Sequence, residues 1–210
     1  MLQAVLTADI VNSTGLTKPQ QRKLLQSLER ILAGEPHEFF RGDSFQVQVK
    51  KPANALALAL LCRTAAIALE PAGNPAFDIR VSIGIGKGAR SNTKPLWQSN
   101  AEAFVLSGRA FDTLQSSGRR LTMATGNTMA NEALQLTALY ADTICTGLTA
   151  RQAATVHQLL QGHTQLAAAR KLKKSASTIH QHLTAARWTE MATILQHYQN
   201  MITLLQDDNN

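Results

Sequence analysis

Apolar spacing divides the chain into a mixed strand-and-helix part followed by a helical one. Residues 4–9 read Ala-Val-Leu-Thr-Ala-Asp, the pattern of a short buried strand ending on a carboxylate. Thr17-Lys18-Pro19-Gln20 marks a helix start: Thr17 can cap, Gln20 follows three positions later, and Pro19 is tolerated in the first turn. Leu24, Leu25, Leu28, Ile31 and Leu32 then recur at helical spacing until Gly34 ends the run. Residues 37–40 and 45–49 read as the arms of a hairpin turned by Arg41-Gly42-Asp43-Ser44, and Phe45, Val47 and Val49 alternate with Gln46 and Gln48 as one buried face requires. Pro52 opens a second helix over residues 53–69, apolar on almost every side, and residues 71–75 form a Pro/Gly loop. Residues 78–86 predict a strand with Val81, Ile83 and Ile85 on one face and Arg80, Ser82 and Gly84 on the other. Helices follow over residues 101–117 and 128–144, with residues 120–124 as an added edge strand.

The order strand, helix, strand, strand, helix, strand predicts an α+β, ferredoxin-like (βαββαβ) arrangement. Its four-stranded antiparallel sheet carries two helices on one face, as in the palm of many nucleotidyl-transfer enzymes. This palm domain is assigned to residues 1–145, and a small all-α domain to residues 146–210. In the second part, Thr149-Ala150-Arg151-Gln152 is another capping box, and its helix runs to Gly162. A short helix from Thr164 to Leu172, a turn at Lys173-Lys174 and a helix capped by Ser175 and running through Trp188 make a helix-turn-helix. A last helix over residues 190–205 carries Met191, Ile194, Leu195, Tyr198 and Ile202 as an apolar stripe suited to dimerisation or to packing on its own chain.

Composition adds charge and compartment. The chain has 210 residues, 44% of them apolar, enough for a packed core. Its net charge of +7 points to an anionic partner. Residues 148–190 hold six Lys or Arg and one acid, Glu190, so the cationic excess sits on the helical part. No apolar run is long enough for a membrane helix, and the N-terminus does not read as a signal peptide. The two cysteines, Cys62 and Cys145, make no disulfide framework or metal clip, which predicts a reducing cytoplasm.

Two carboxylates carry the candidate chemistry. In a βαββαβ sheet the first strand lies beside the hairpin, so Asp9 at its end and Asp43 in the turn are expected across one sheet edge. There they can hold Mg²⁺ or Mn²⁺ against a nucleotide triphosphate. Gly42 and Gly15 would let phosphate approach the backbone. The stretches Ala8-Asp9-Ile10-Val11-Asn12-Ser13-Thr14, Gly42-Asp43-Ser44-Phe45 and Arg80-Val81-Ser82-Ile83-Gly84-Ile85-Gly86 resemble the motifs of class III nucleotide cyclases. With Ser107-Gly108-Arg109-Ala110-Phe111, they more closely resemble the SatD family of cyclase-like proteins, over roughly residues 4–115. The resemblance implies metal binding at Asp9, Ile10 and Asp43, and binding of a purine nucleotide by Asn12, Ser13, Thr14, Gly42 and Arg109. Glu38-Phe39-Phe40 lacks the purine-reading Lys of active cyclases, and residues 107–112 hold Arg109 without the Asn that usually lies one turn away. The Walker A and dinucleotide fingerprints are not met around residues 84–88, where Gly84 and Gly86 read as close-packing positions and Lys87, Arg90 and Lys94 as solvated loop charges.

In the helical part, Ala168 and Ala169 are small where two helices would cross, with Leu172, Ile179 and Leu183 as the core between them. Ser175, Ser177, Thr178, Gln181 and His182 are expected on the outer face against DNA, while Lys171, Lys173, Lys174 and Arg187 supply salt-dependent attraction. The segment resembles the helix-turn-helix of LuxR-type and sigma-factor-like regulators, through Leu148-Thr149-Ala150-Arg151-Gln152 and Ser175-Ala176-Ser177-Thr178-Ile179. The histidines after residue 150 read as solvated or DNA-facing, not as a metal cluster, and Trp97 and Trp188 as packing residues. The expected function is that of a DNA-binding transcriptional regulator, a homodimer, whose cyclase-like domain binds nucleotide and metal or dimerises. The alternative is a metal-dependent nucleotide cyclase or nucleotidyltransferase, also homodimeric.

Overall fold

A computed structural model of the chain describes residues 1–40, 42–69, 77–88, 96 and 99–207. Arg41 of the hairpin turn, the loop at 71–75, Arg90, Lys94 and Trp97 lie outside the described residues. The first part contains β1 (Leu2–Val11), α1 (Lys18–Leu32), β2 (His37–Phe40), β3 (Ser44–Val49), α2 (Ala55–Ile67), β4 (Asp78–Lys87), α3 (Glu102–Ser116), β5 (Leu121–Thr125) and α4 (Thr128–Thr146). The second contains α5 (Ala150–Leu160), α6 (Gln165–Leu172), α7 (Ala176–Ala185) and α8 (Trp188–Asp207).

The expected βαββαβ core is present, and one strand is added to it. The sheet order is β2-β3-β1-β4-β5, antiparallel except for β5, which joins β4 in parallel. The sheet is therefore five-stranded and mixed, and it is covered on both faces instead of one. Its first face meets α1, α2 and α4 through Leu6, Phe45, Val47, Ile83, Leu24, Leu28, Leu56 and Leu134. Its second face meets α3, where Val5 packs with Ala103 and Phe104. Full burial explains why β4 is protected on both sides while alternating in sequence. Past Arg80 its second-face residues, Ser82, Gly84 and Gly86, are small, and a Cβ at Gly84 would stand 2.2 Å from the Ala103 carbonyl oxygen, so only glycine lets α3 approach so closely.

Local chemistry sets the helix ends. Thr17 with Gln20 and Thr149 with Gln152 form capping boxes, and Asn127, Thr164 and Ser175 cap α4, α6 and α7 with their side-chain oxygens. One end departs from expectation. The helix read as running through Trp188 stops at Ala185, because Arg187 takes a left-handed conformation (φ 55°) that no helix interior accommodates, and Trp188 begins α8.

The helical part docks on the palm through a shared core. Ala153 and Val156 of α5, Ile179 and Leu183 of α7 and Met191, Tyr198 and Ile202 of α8 belong to the same apolar cluster as α2 and α4. The α8 stripe offered for dimerisation is thus consumed within the chain: Met191, Ile194, Tyr198 and Ile202 are buried, and the Tyr198 hydroxyl donates to the Pro52 carbonyl at 3.0 Å. A helix of this length gains more from covering an existing apolar face than from waiting for a partner. Exposed large apolar side chains lie on α4, at Met129, Leu136, Leu139 and Tyr140, and singly at Leu166 of α6 and Leu204 near the end of α8.

Candidate functional site

Strand alternation decides which way Asp9 points. Ala4, Leu6, Ala8 and Ile10 of β1 enter the main core, so Thr7 and Asp9 face the α3 side. Asp9 stands opposite Ser44 of β3 and opposite Arg80 of β4. Asp43 immediately precedes Ser44, and its carbonyl accepts from the Ile10 N–H at 2.9 Å. Asp9, Ile10 and Asp43 therefore meet at one sheet edge. Ser13, on the turn after β1, donates its hydroxyl to Asp43 Oδ2 at 2.8 Å. Asn12 bends the chain there with a left-handed backbone (φ 58°). Asn12 and Thr14 are exposed beside this edge, and Gly42, with φ 83°, has open space around its Cα.

The electrostatics of the pair are uneven. Asp9 Oδ2 is paired with Arg80 Nη1 at 3.0 Å, while Asp9 Oδ1 is buried and, among the described residues, has no partner within hydrogen-bond distance, although the Gln115 amide is near enough to act on the carboxyl. Burial pushes the Asp9 carboxyl above the usual carboxylate range; Arg80 opposes this and the neighbouring Asp43 charge adds to it. Sequence reading placed Arg80 on this face of β4 and did not pair it with Asp9, because the pairing depends on strand register. Among the described residues no group of three His, Cys, Asp or Glu side chains can hold a metal. Two carboxylates are enough for Mg²⁺ or Mn²⁺, which keep waters and take remaining ligands from phosphate. The orphaned Asp9 Oδ1 beside the Asp43 carboxylate fits such an ion, and Ile10 lies at the same edge through its backbone.

Behind the carboxylates, a cavity of about 530 Å³ opens between α3 and the sheet, lined by Thr7, Ser44, Gln46, Phe111, Asp112 and Gln115, among others. Its floor is a polar chain that the sequence did not reveal. Gln46 Nε2 donates to Thr7 Oγ1 at 3.1 Å, Thr7 Oγ1 meets Ser107 Oγ at 2.9 Å, and the buried Gln46 Oε1 has no partner among the described residues. The only sequence signal was a polar residue on a strand that is covered on both faces. Gly108 lines this cavity, whereas Arg109, the next residue, is exposed and is not among its lining residues.

The second candidate surface is the α6–α7 unit. Ala168, Ala169, Ile179 and Leu183 are buried between the helices, with Leu172 half-buried beside them. The turn is made by Lys173 in the left-handed region (φ 53°), a position that favours glycine. Lys173, Lys174, Ser175, Ser177 and Gln181 are exposed, while Thr178 is half-buried with its N–H donating to the Ser175 cap at 3.1 Å. Two residues expected on this face turn elsewhere. His182 is half-buried, its Nδ1 3.0 Å from Thr155 Oγ1 of α5, because it stands three residues past the buried Ile179 and shares its inward side. Arg187 lies over the Tyr140 ring at 5.1 Å, bonds its hydroxyl, and pairs with Glu190 at 3.1 Å. No acidic residue occurs from 148 to 189.

A third polar group is structural. Arg63, fully buried, makes a fork to Asp78 at 2.6 and 3.0 Å and reaches Asp142 at 2.7 Å, joining α2, β4 and α4. Burial pushes the thiols of Cys62 and Cys145 up to about 12, which leaves both unreactive. No described helix is long and apolar enough to cross a membrane.

No family model and no curated protein sequence matches this chain. Among solved structures it is similar to the active GGEEF domain of a diguanylate cyclase from Vibrio cholerae, with 13% identity and a TM-score of 0.42 over 61% of this chain and 85% of that one. It is also similar to the guanylyl cyclase Cya2, with 17% identity and a TM-score of 0.35 over 54% of this chain and 70% of that one.

Proposed function

We propose that the chain is a DNA-binding transcriptional regulator of SatD type, in which a cyclase-like palm binds a purine nucleotide with Mg²⁺ or Mn²⁺ and a helix-turn-helix contacts DNA. One observation carries this reading: the exposed face around the α6–α7 turn holds Lys173, Lys174, Ser175, Ser177 and Gln181, with no acid on the segment. Lysines there attract phosphate, Ser175 and Ser177 suit backbone contacts, and Gln181 matches the two-point edge of adenine. Reading a two-fold operator needs a homodimer. The outer face of α4, where Leu136 and Leu139 are exposed between Glu132 and the Arg187-covered Tyr140, is the surface offered for it, and sedimentation of Leu136→Lys against the parent chain tests that role.

The test is a mobility shift with genomic fragments across a salt series. Lys173→Ala with Lys174→Ala is expected to weaken retention at least tenfold and to lower the slope of log K against log salt by about two, one for each phosphate that is no longer neutralised. An unchanged slope sinks the DNA reading.

A second reading rests on the unpartnered Asp9 Oδ1 beside Asp43, which suits catalysis by a homodimeric nucleotide cyclase or nucleotidyltransferase. A bound divalent cation would neutralise triphosphate charge and activate the attacking hydroxyl. Asp9 and Asp43 would hold it, Ser13 would fix Asp43, and Arg80 would keep Asp9 oriented. ATP or GTP with Mn²⁺ would then give a cyclic product and pyrophosphate, and Asp43→Asn would abolish it. Absence of any product from the parent chain removes this reading and leaves the first in place.

A further inference from the structure

Between the palm helix α1 and the helical part lies a cleft of about 550 Å³ that belongs to neither site described above. Arg30 comes from α1, Lys171 from α6, and His157, Gln158 and Gln161 from α5 and its C-terminal cap. No carboxylate lines the cleft. Among the described residues neither Arg30 nor Lys171 has a carboxylate partner; Arg30 Nε donates to its own Gln26 carbonyl at 3.1 Å and Lys171 Nζ meets His163. Among the described residues the buried Gln158 Oε1 has no hydrogen-bond partner. Ile31 and Leu172 give the cleft an apolar flank. Two cations without a carboxylate partner thus converge on a concavity of small-molecule size, beside an imidazole held by Thr64 at Nδ1 (3.0 Å) and by the Gln161 amide at Nε2 (3.1 Å).

We infer that this cleft binds a phosphate-bearing small molecule. A tetrahedral dianion accepts from several donors at once, which suits the Arg30 guanidinium fork and the Lys171 ammonium brought to one cleft by different elements. The apolar flank would take the organic part. Because Arg30 lies on the palm and Lys171 one helix before the DNA-facing turn, occupancy would clamp the helical part against α1. This consequence, unlike the site itself, rests on the DNA-binding reading.

The experiment is calorimetric titration of the full chain with inorganic pyrophosphate and with adenosine 5′-monophosphate. Chelator is present to silence the carboxylate edge, and ionic strength is held constant with chloride. Saturable binding of one ligand per chain is expected. Arg30→Gln and Lys171→Gln are each expected to weaken it at least tenfold, and Lys23→Gln, the same charge change elsewhere on α1, to leave it unchanged. Both cleft residues are exposed, so the variants keep the parent melting temperature without ligand. Failure of both probes to saturate, or equal binding by Arg30→Gln, overturns the site. A parallel mobility shift in which Arg30→Gln loses duplex retention as severely as pyrophosphate binding would assign the cleft to DNA backbone phosphate and overturn the small-molecule assignment. Intact, Arg30-dependent pyrophosphate binding in a chain that retains no DNA upholds the site and rejects the regulator reading.

Discussion

Asp9 has one oxygen matched to Arg80 and the other buried with no hydrogen-bond partner among the described residues. Its carboxyl is held above the ordinary range chiefly by burial, so the fold binds its proton more tightly than the unfolded chain does. The stability this group contributes is complete below the ordinary carboxylate range and is lost as pH rises through the elevated native value. A divalent cation reverses the loss because it binds the deprotonated form. Mn²⁺ is therefore expected to raise the melting temperature more near neutral pH than in mild acid, and Asp9→Asn to remove that difference; equal gains at both would deny a metal role to Asp9. Arg63 poses the opposite case, a buried cation fully met by Asp78 and Asp142. Arg63→Ala would leave two buried carboxylates without their cation and should cost about 3–5 kcal/mol in urea unfolding.

Among the elements, the α6–α7 turn carries its own cost. Lys173 adopts a left-handed backbone, which disfavours a side chain by about 1 kcal/mol or more. Lys173→Gly is expected to raise unfolding free energy by about 0.5–1 kcal/mol while weakening DNA retention, a separation of stability from function that a purely structural lysine would not give. The hairpin and α1 were readable from spacing and caps because those signals are local. The α8 stripe was equally readable as an amphipathic helix. Which surface it covers was not, since Tyr198 finds Pro52 across 146 positions of chain.

For the molecule as a whole, the palm and the helical part meet where His157 of α5 faces Thr64 of α2 at 3.0 Å. Burial lowers the His157 pKa, so the neutral imidazole is favoured in the docked state. Its contribution is complete above the ordinary histidine range and is lost as pH falls toward the lower native value. Acidification is therefore expected to loosen this junction, read as faster amide exchange in α5, and His157→Gln should flatten the dependence. A steep exchange profile that survives this substitution would move the pH response to another group.

By itself the amino-acid order determined the strands, most helix ends, the βαββαβ succession and a cationic helical tail, because alternation, caps and charge runs act over a few residues. It also brought Asp9 and Asp43 to one edge, since that follows from strand order. Tertiary structure alone decided the rest. Register set Asp9 against Arg80, and α3 on the second face made Gln46 and Ser107 interior. Packing took the α8 stripe inside and turned His182 and Arg187 away from the exposed face around the α6–α7 turn. Each of these depends on residues distant in the chain competing for the same buried surface, and no short window of sequence records the winner.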